Sequence, residues 1–203
     1  MARNLIRNGD FEGNTVTGSF IMYTAPSEWT IDYGIGPDII TSVKARNSFA
    51  PTGSKGNYVE LDGSGARTVS NSSISQVVAT NSGRRYVLGF DWCPYPLFLS
   101  EFAQTKSEIP LGTDSFSVLV NGSPVFEYAG TFATQSDTWR NQSIAITADS
   151  PFTKITFKAP QGSGDFGGSI IDNISLTPLP IVRGNSLYTI VDGPSWTQAE
   201  ANS

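Results

Sequence analysis

The sequence has no histidine, a single cysteine (Cys93) and few charged residues, 15% against 38% hydrophobic. Each shortage excludes something. Without histidine there is no Ser-His or Cys-His dyad, no general base that titrates near neutrality, and none of the commonest zinc ligand. One cysteine allows no intrachain disulfide. As a nucleophile Cys93 would lack an imidazole to lower its pKa, so it reads as a small apolar residue. No run of about 20 apolar residues occurs, so no membrane-inserted helix is expected. Lys and Arg number 13 against 18 Asp and Glu, a net charge of −5. Phosphate neutralisation cannot drive binding in such a chain, and nucleic acid is not an expected partner. Arg84-Arg85, the only adjacent basic pair, reads as a solvated turn. Nor does a secretory leader show: Asn4-Leu5-Ile6 already reads as strand behind Met1-Ala2-Arg3. Either a leader was removed, or the protein reaches its site without the general secretory route, as a virion protein does. An extracellular or virion location is expected.

What is abundant is turn chemistry, with 20 Gly and 12 Pro among many Ser, Thr and Asn. Helical periodicity is absent until the last residues. Short alternating runs recur instead, each closed by turn formers. They include Trp29-Thr30-Ile31-Asp32-Tyr33, the run from Asn57 to Asp62, and the apolar run from Tyr86 to Trp92. Ser115 to Val120 leads into Asn121-Gly122, two residues that tolerate positive φ and suit a tight hairpin. About eleven antiparallel strands follow, the pattern of an all-β, two-sheet jelly-roll sandwich over residues 1–178. Residues 94–112 form a long loop too apolar for a disordered segment, which suits a subunit contact. Pro178-Leu179-Pro180 is a stiff stop opening a linker, 179–186.

Several phrases then resemble one family. Asn4-Leu5-Ile6-Arg7-Asn8-Gly9-Asp10-Phe11-Glu12 resembles the opening of jelly-roll carbohydrate-binding modules and related galactose-binding-like domains (choice-of-anchor C type). Trp29-Thr30 resembles their second strand, and Ser169-Ile170-Ile171-Asp172-Asn173-Ile174-Ser175-Leu176 their closing strand. Residues 56–63, Ile74-Ser75-Gln76 and residues 86–91 follow the same order and spacing.

The resemblance implies that the N-terminal turn lies beside the last strand, often with a structural calcium between them. Carried over, the ligands are Asp10, Glu12, Lys55, Asn57 and Asp172: carboxylates from Glu12 and Asp172, carbonyls from near Asp10 and from 55–57. Hard oxygens of both kinds suit Ca²⁺. The metal-free alternative has Glu12 capping a turn and Asp172 accepting backbone N–H groups. The resemblance also implies sugar binding on aromatic platforms, where the C–H face of a pyranose lies flat and amides meet its hydroxyls. Trp29, Trp139, Phe90, Phe116 and Phe157 are expected in the core. Tyr23, Tyr33, Trp92, Tyr95 and Phe98 are the ligand aromatics, with Gln76, Asp91 and Asn121 as hydroxyl partners.

After the stop, Leu187-Tyr188-Thr189-Ile190-Val191 and Ser195-Trp196-Thr197-Gln198-Ala199-Glu200-Ala201 resemble the opening of a C-type lectin-like domain. A docking tail is the alternative for residues 187–203. With no acid–base constellation around Glu60 and Asp62, no enzyme is expected. Two readings stand: a non-catalytic adhesion protein that binds a glycan or cell-surface polysaccharide, or a structural phage virion protein (fibre, decoration or tail-associated) anchored by its sandwich. Either gains from multimeric presentation.

Overall fold

The computed structural model describes residues 3–17, 20–21, 25–34, 37–41, 51, 53–65, 68–94, 113–131, 138–160 and 168–188. Its strands begin with β1 (Phe20–Ile21), β2 (Thr30–Tyr33), β3 (Asp38–Thr41), β4 (Asn57–Glu60), β5 (Asp62–Gly65), β6 (Thr68–Asn71), β7 (Ser73–Ala79) and β8 (Arg85–Cys93). Then come β9 (Thr113–Val120), β10 (Ser123–Thr131), β11 (Arg140–Thr147), β12 (Phe152–Lys158), β13 (Ile170–Pro178), β14 (Ile181–Arg183) and β15 (Ser186–Tyr188). Eleven of them form two antiparallel sheets, one of six strands (β1-β3-β4-β13-β8-β11) and one of five (β10-β9-β12-β7-β2). The all-β sandwich expected from the turn rhythm is the fold.

Strand alternation decides what lies inside. Along β8, Tyr86, Leu88, Phe90 and Trp92 are buried, while Val87, Gly89 and Asp91 between them are not. The five-stranded sheet answers with Ile74, Val78, Phe116, Val118, Ile155 and Phe157. Phe90 sits at the centre, edge-on to Phe116, Phe126 and Phe157 at centroid distances of 6.3, 5.5 and 5.2 Å. Trp29 packs on Phe11 and Phe157 and donates from Nε1 to the Asn8 carbonyl at 3.0 Å.

The N-terminal segment does lie beside the closing strand. Leu5 N donates to Leu176 O at 2.9 Å, and Ile174 N to Gly9 O at 2.8 Å. Residues 4–6, read as a strand in the sequence, make this contact without a regular ladder; β1 completes the eleven instead. Gly9 is required by the close approach: a Cβ there would fall 2.0 Å from the Ile174 carbonyl oxygen. Gly9→Ala is therefore expected to destabilise by about 1–3 kcal/mol through forced separation of the two segments, read as a lowered thermal midpoint.

The β9–β10 turn is the hairpin that Asn121-Gly122 suggests, with φ of 49° and 83°. Two expectations change. The stretch 179–186, expected as a linker, contains β14, which pairs with β15 around Gly184 (φ 58°). Its β-branched Ile181-Val182 makes a ladder where composition suggested a spacer. Trp139 is also not in the main core; it lies half-buried on the outside of the six-stranded sheet.

Candidate functional site

The alternate side chains of β8, β11 and β13 face away from the second sheet. Register sets Asp91 opposite both Asn141 and Asp172. A bulge after Asp172 puts Asn173 in the left-handed region (φ 52°), a conformation asparagine tolerates better than most residues. The bulge brings its amide onto Asp91. Asn173 Nδ2 donates to Asp91 Oδ2 at 2.9 Å, and Asn141 Nδ2 donates to Oδ1 at 2.8 Å. Three polar side chains are thereby fixed in a row across three strands, with both asparagines exposed and Asp91 half-buried.

Beside this row the outer side carries a second, smaller core of Tyr58, Cys93 and Ile170, with Trp139 packed against it. Trp139 meets Tyr58 edge-on at 6.1 Å and donates from Nε1 to Ser54 Oγ at 3.0 Å. Glu60, 2% exposed, accepts from Gly168 N at 3.1 Å. Burial pushes the Tyr58 hydroxyl pKa up, and Glu60 and Cys93 add to the shift. Away from the row, Gly89, Ser143, Ala145 and Ser175 leave a floor of short side chains. A carboxylate and two amides held at fixed spacing can take sugar hydroxyls, while the half-buried Trp139 indole offers an apolar edge.

Of the expected ligand residues, Asp91 alone is in this row. Trp92 faces the opposite side of β8; it is 5% exposed, packs on Phe116, Phe126 and Tyr128, and lies under the Arg140 guanidinium at 4.7 Å. A ring so enclosed offers no face to a pyranose. Gln76 is buried, and its amide ties the N-terminal turn to β7 through Arg7 N, Arg7 O and Glu28 O. Tyr33 lies on the five-stranded sheet beneath Lys158, 5.6 Å from ring centre to Nζ. Asn121 sits at the β9–β10 tip, bonded to Asp149 and to Lys154 N. Tyr23, Tyr95, Phe98 and the rest of the 94–112 loop after Pro94 lie outside the described residues. The sequence reading missed Asn141 and Trp139 as site residues because only the pairing of β11 with β8 places them. Asn173 was read only as a marker of the closing strand.

Of the five residues expected at a metal, the structure ties Glu12 to Asn57 and brings Asp10 and Glu12 close enough to Asp172 to act on its charge. Glu12 Oε1 accepts from Asn57 N at 2.6 Å, directly over Gly56, where a Cβ would fall 1.8 Å from that oxygen. Asn57 Nδ2 holds the carbonyls of Phe11 and Asn14. Asp172 Oδ1 accepts from Asn173 N at 2.7 Å. Its pKa is pushed from 3.8 to about 8, foremost by burial; the Asn173 N–H opposes the shift, and Asp91, Asp10 and Glu12 add to it. Asp10 Oδ1 accepts from Glu12 N, and Lys55 is exposed. Among the described residues no three acidic, His or Cys side chains form a metal-binding group by themselves. The fit is one of kind: hard carboxylate oxygens around one turn, to be completed by backbone carbonyls.

No protein-family model matches the chain, and no curated protein matches it. Solved structures do. The chain is similar to a Stig cyclase, Fisc from Fischerella sp. TAU, over 90% of its own length and 100% of that chain, at 12% identity and a TM-score of 0.60. It is similar to TmCBM61, a carbohydrate-binding module solved with beta-1,4-galactotriose, over 87% and 99% of the two chains, at 18% identity and a TM-score of 0.54. The K2 cleaved adhesin domain of Lys-gingipain matches over 83% and 96%, at 15% identity and a TM-score of 0.50. These identities establish a shared fold. The chain is a jelly-roll β-sandwich of the kind found in carbohydrate-binding modules, an adhesin domain and cyclases. Such a fold hosts binding and catalysis alike, so function must be argued from the site.

Proposed function

We propose that the sandwich is a non-catalytic, glycan-binding module of an attachment protein, and that its ligand lies on the outer face of the six-stranded sheet. The observation that carries this reading is the Asn141–Asp91–Asn173 row beside Trp139. Both carboxylate oxygens of Asp91 are engaged by amides, which orients the row for hydroxyl recognition and leaves Asp91 poorly suited to proton transfer. Glu60 is sealed from solvent, and the Tyr58 hydroxyl is held further from ionisation than usual. Neither is placed as an exposed acid or base beside the row.

Titration of the protein with neutral oligosaccharides, beta-1,4-galactotriose among them, tests the reading. Asp91→Ala and Asn141→Ala are each expected to weaken binding about tenfold or more, the scale of a lost hydrogen bond to a charged group. Asn173→Gly, which keeps the left-handed backbone, should do the same. No binding by the wild-type protein, or equal binding by all three variants, overturns the reading.

We further propose that Ca²⁺ joins the N-terminal turn to β13, held by the carboxylates of Glu12 and Asp172 and by carbonyls near Asp10 and from Lys55 to Asn57. The ion would supply structural cross-linking and no chemistry. Residues 187–203, with their likeness to a lectin-like opening, and the apolar 94–112 loop give the module further contacts. Repeated copies on a cell surface or virion would turn weak sites into firm attachment.

A further inference from the structure

A cleft of about 710 Å³ opens at the end of the sandwich where the β7–β8 turn meets the exit of β13. One wall carries Asn81, Ser82, Arg84 and Arg85; the other is Leu179, Pro180 and Ile181. Both walls are fixed by backbone bonds: Gly83 N to Ala148 O at 2.7 Å, Ala148 N to Arg84 O at 3.0 Å, and Leu179 N to Arg85 O at 3.0 Å. The cleft is therefore preformed. Arg84 Nε is buried without a hydrogen-bond partner, and one Nη only grazes the Leu179 carbonyl at 3.4 Å. Elsewhere in the sandwich Arg7 pairs with Glu28 and Lys154 with Asp32. Neither Arg84 nor Arg85 makes an ion pair among the described residues. In a chain of net charge −5, two adjacent unneutralised guanidinium groups form a local positive site.

A buried N–H without a partner is costly, and a bound acceptor removes that cost. The Nε–H and Nη–H edge of a guanidinium matches the two oxygens of a carboxylate. Asn81 and Ser82 are exposed and can meet hydroxyls, while Leu179, Pro180 and Ile181 supply an apolar wall for ring C–H groups. A carboxylate, hydroxyls and an apolar ring face occur together in a hexuronate. We propose that this cleft is a second saccharide site, which takes a uronate unit of an acidic polysaccharide through Arg84 and Arg85. It is separate from the outer-face row: Asp91 and Arg85 are six residues apart on β8, about 20 Å at roughly 3.3 Å per residue.

The test is titration with tetragalacturonate, followed by the Arg Nε–H resonances and by calorimetry. Tetragalacturonate is expected to shift the Arg84 Nε–H signal of the wild-type protein, and its affinity should fall as salt rises. Arg84→Gln should weaken binding tenfold or more. Arg84→Lys should lose most of the affinity as well, because lysine keeps the charge without the fork. Asp91→Ala should bind tetragalacturonate like the wild type, so that failure here and failure of the outer-face reading are told apart. An unmoved Arg84 signal overturns the proposal whether or not the variants fold. So does unchanged affinity in Arg84→Gln, or competition by sodium acetate as effective as that of the oligomer.

Discussion

Transfer of the protein from millimolar Ca²⁺ into excess EGTA is expected to lower its melting temperature by on the order of 10 °C. An ion held at about a thousand times its dissociation constant stabilises by about 4 kcal/mol, and each kcal/mol moves the midpoint of a domain this size by about 2–4 °C. The N-terminal turn is where the effect should originate, because Asp10 and Glu12 lie close enough to the buried Asp172 to add to the rise of its pKa. Glu12→Gln and Asp172→Asn should each abolish the difference between the two buffers. The pH dependence supplies an independent check. Without the ion, Asp172 titrates at about 8 in the folded protein against 3.8 ordinarily. The raised value means that the protonated form favours folding. That stability is complete below about pH 3.8 and is lost as pH rises through about 8. Melting temperatures in EGTA should therefore fall from about pH 5 to about pH 8, and Asp172→Asn should remove that slope. Identical melts in both buffers would leave Glu12 as the cap of a metal-free turn.

Phe90→Ala is expected to cost about 3–5 kcal/mol, a large part of the roughly 5–15 kcal/mol that holds a typical domain together. The ring is 1% exposed and meets three other phenylalanines edge-on. Its removal leaves a cavity walled by both sheets, which antiparallel ladders on either side cannot collapse to fill. A urea titration should show the midpoint fall with little change in slope. Val77→Ala is the matched control. Val77 is 56% exposed on the outside of β7, and its truncation should stay within about 0.5 kcal/mol. Equal losses from the two would contradict the assignment of inner and outer faces.

Local chemistry made much of this readable in advance. The alternation of Tyr86, Leu88, Phe90 and Trp92 identifies a buried strand, and Asn121-Gly122 identifies a tight turn, because both signals lie within a few residues. Gly9 and Gly56 are part of recognisable phrases, the opening and the 56–63 run, although the reasons for them are distant: the Ile174 carbonyl and the Glu12 carboxylate. The site was less legible. Trp92 has the composition of a sugar platform, yet one step along β8 separates the interior from the outer face, and that step turns Trp92 inward and Asp91 outward. The β14–β15 hairpin was hidden by the prolines just before it, Pro178 and Pro180, which look like a spacer until Ile181 finds Tyr188 across the turn.

The missing histidine and the turn-rich alternating runs determined that the chain is an all-β sandwich without the commonest catalytic dyads, since composition and period-2 patterning act locally. Only the tertiary structure decided which distant side chains become neighbours. The Asn141–Asp91–Asn173 row exists because β11 and β13 flank β8 in one register with one bulge, and the Arg84 cleft exists because β13 leaves the sheet beside the β7–β8 turn. Both join residues far apart in the chain, and such neighbours are set by strand pairing.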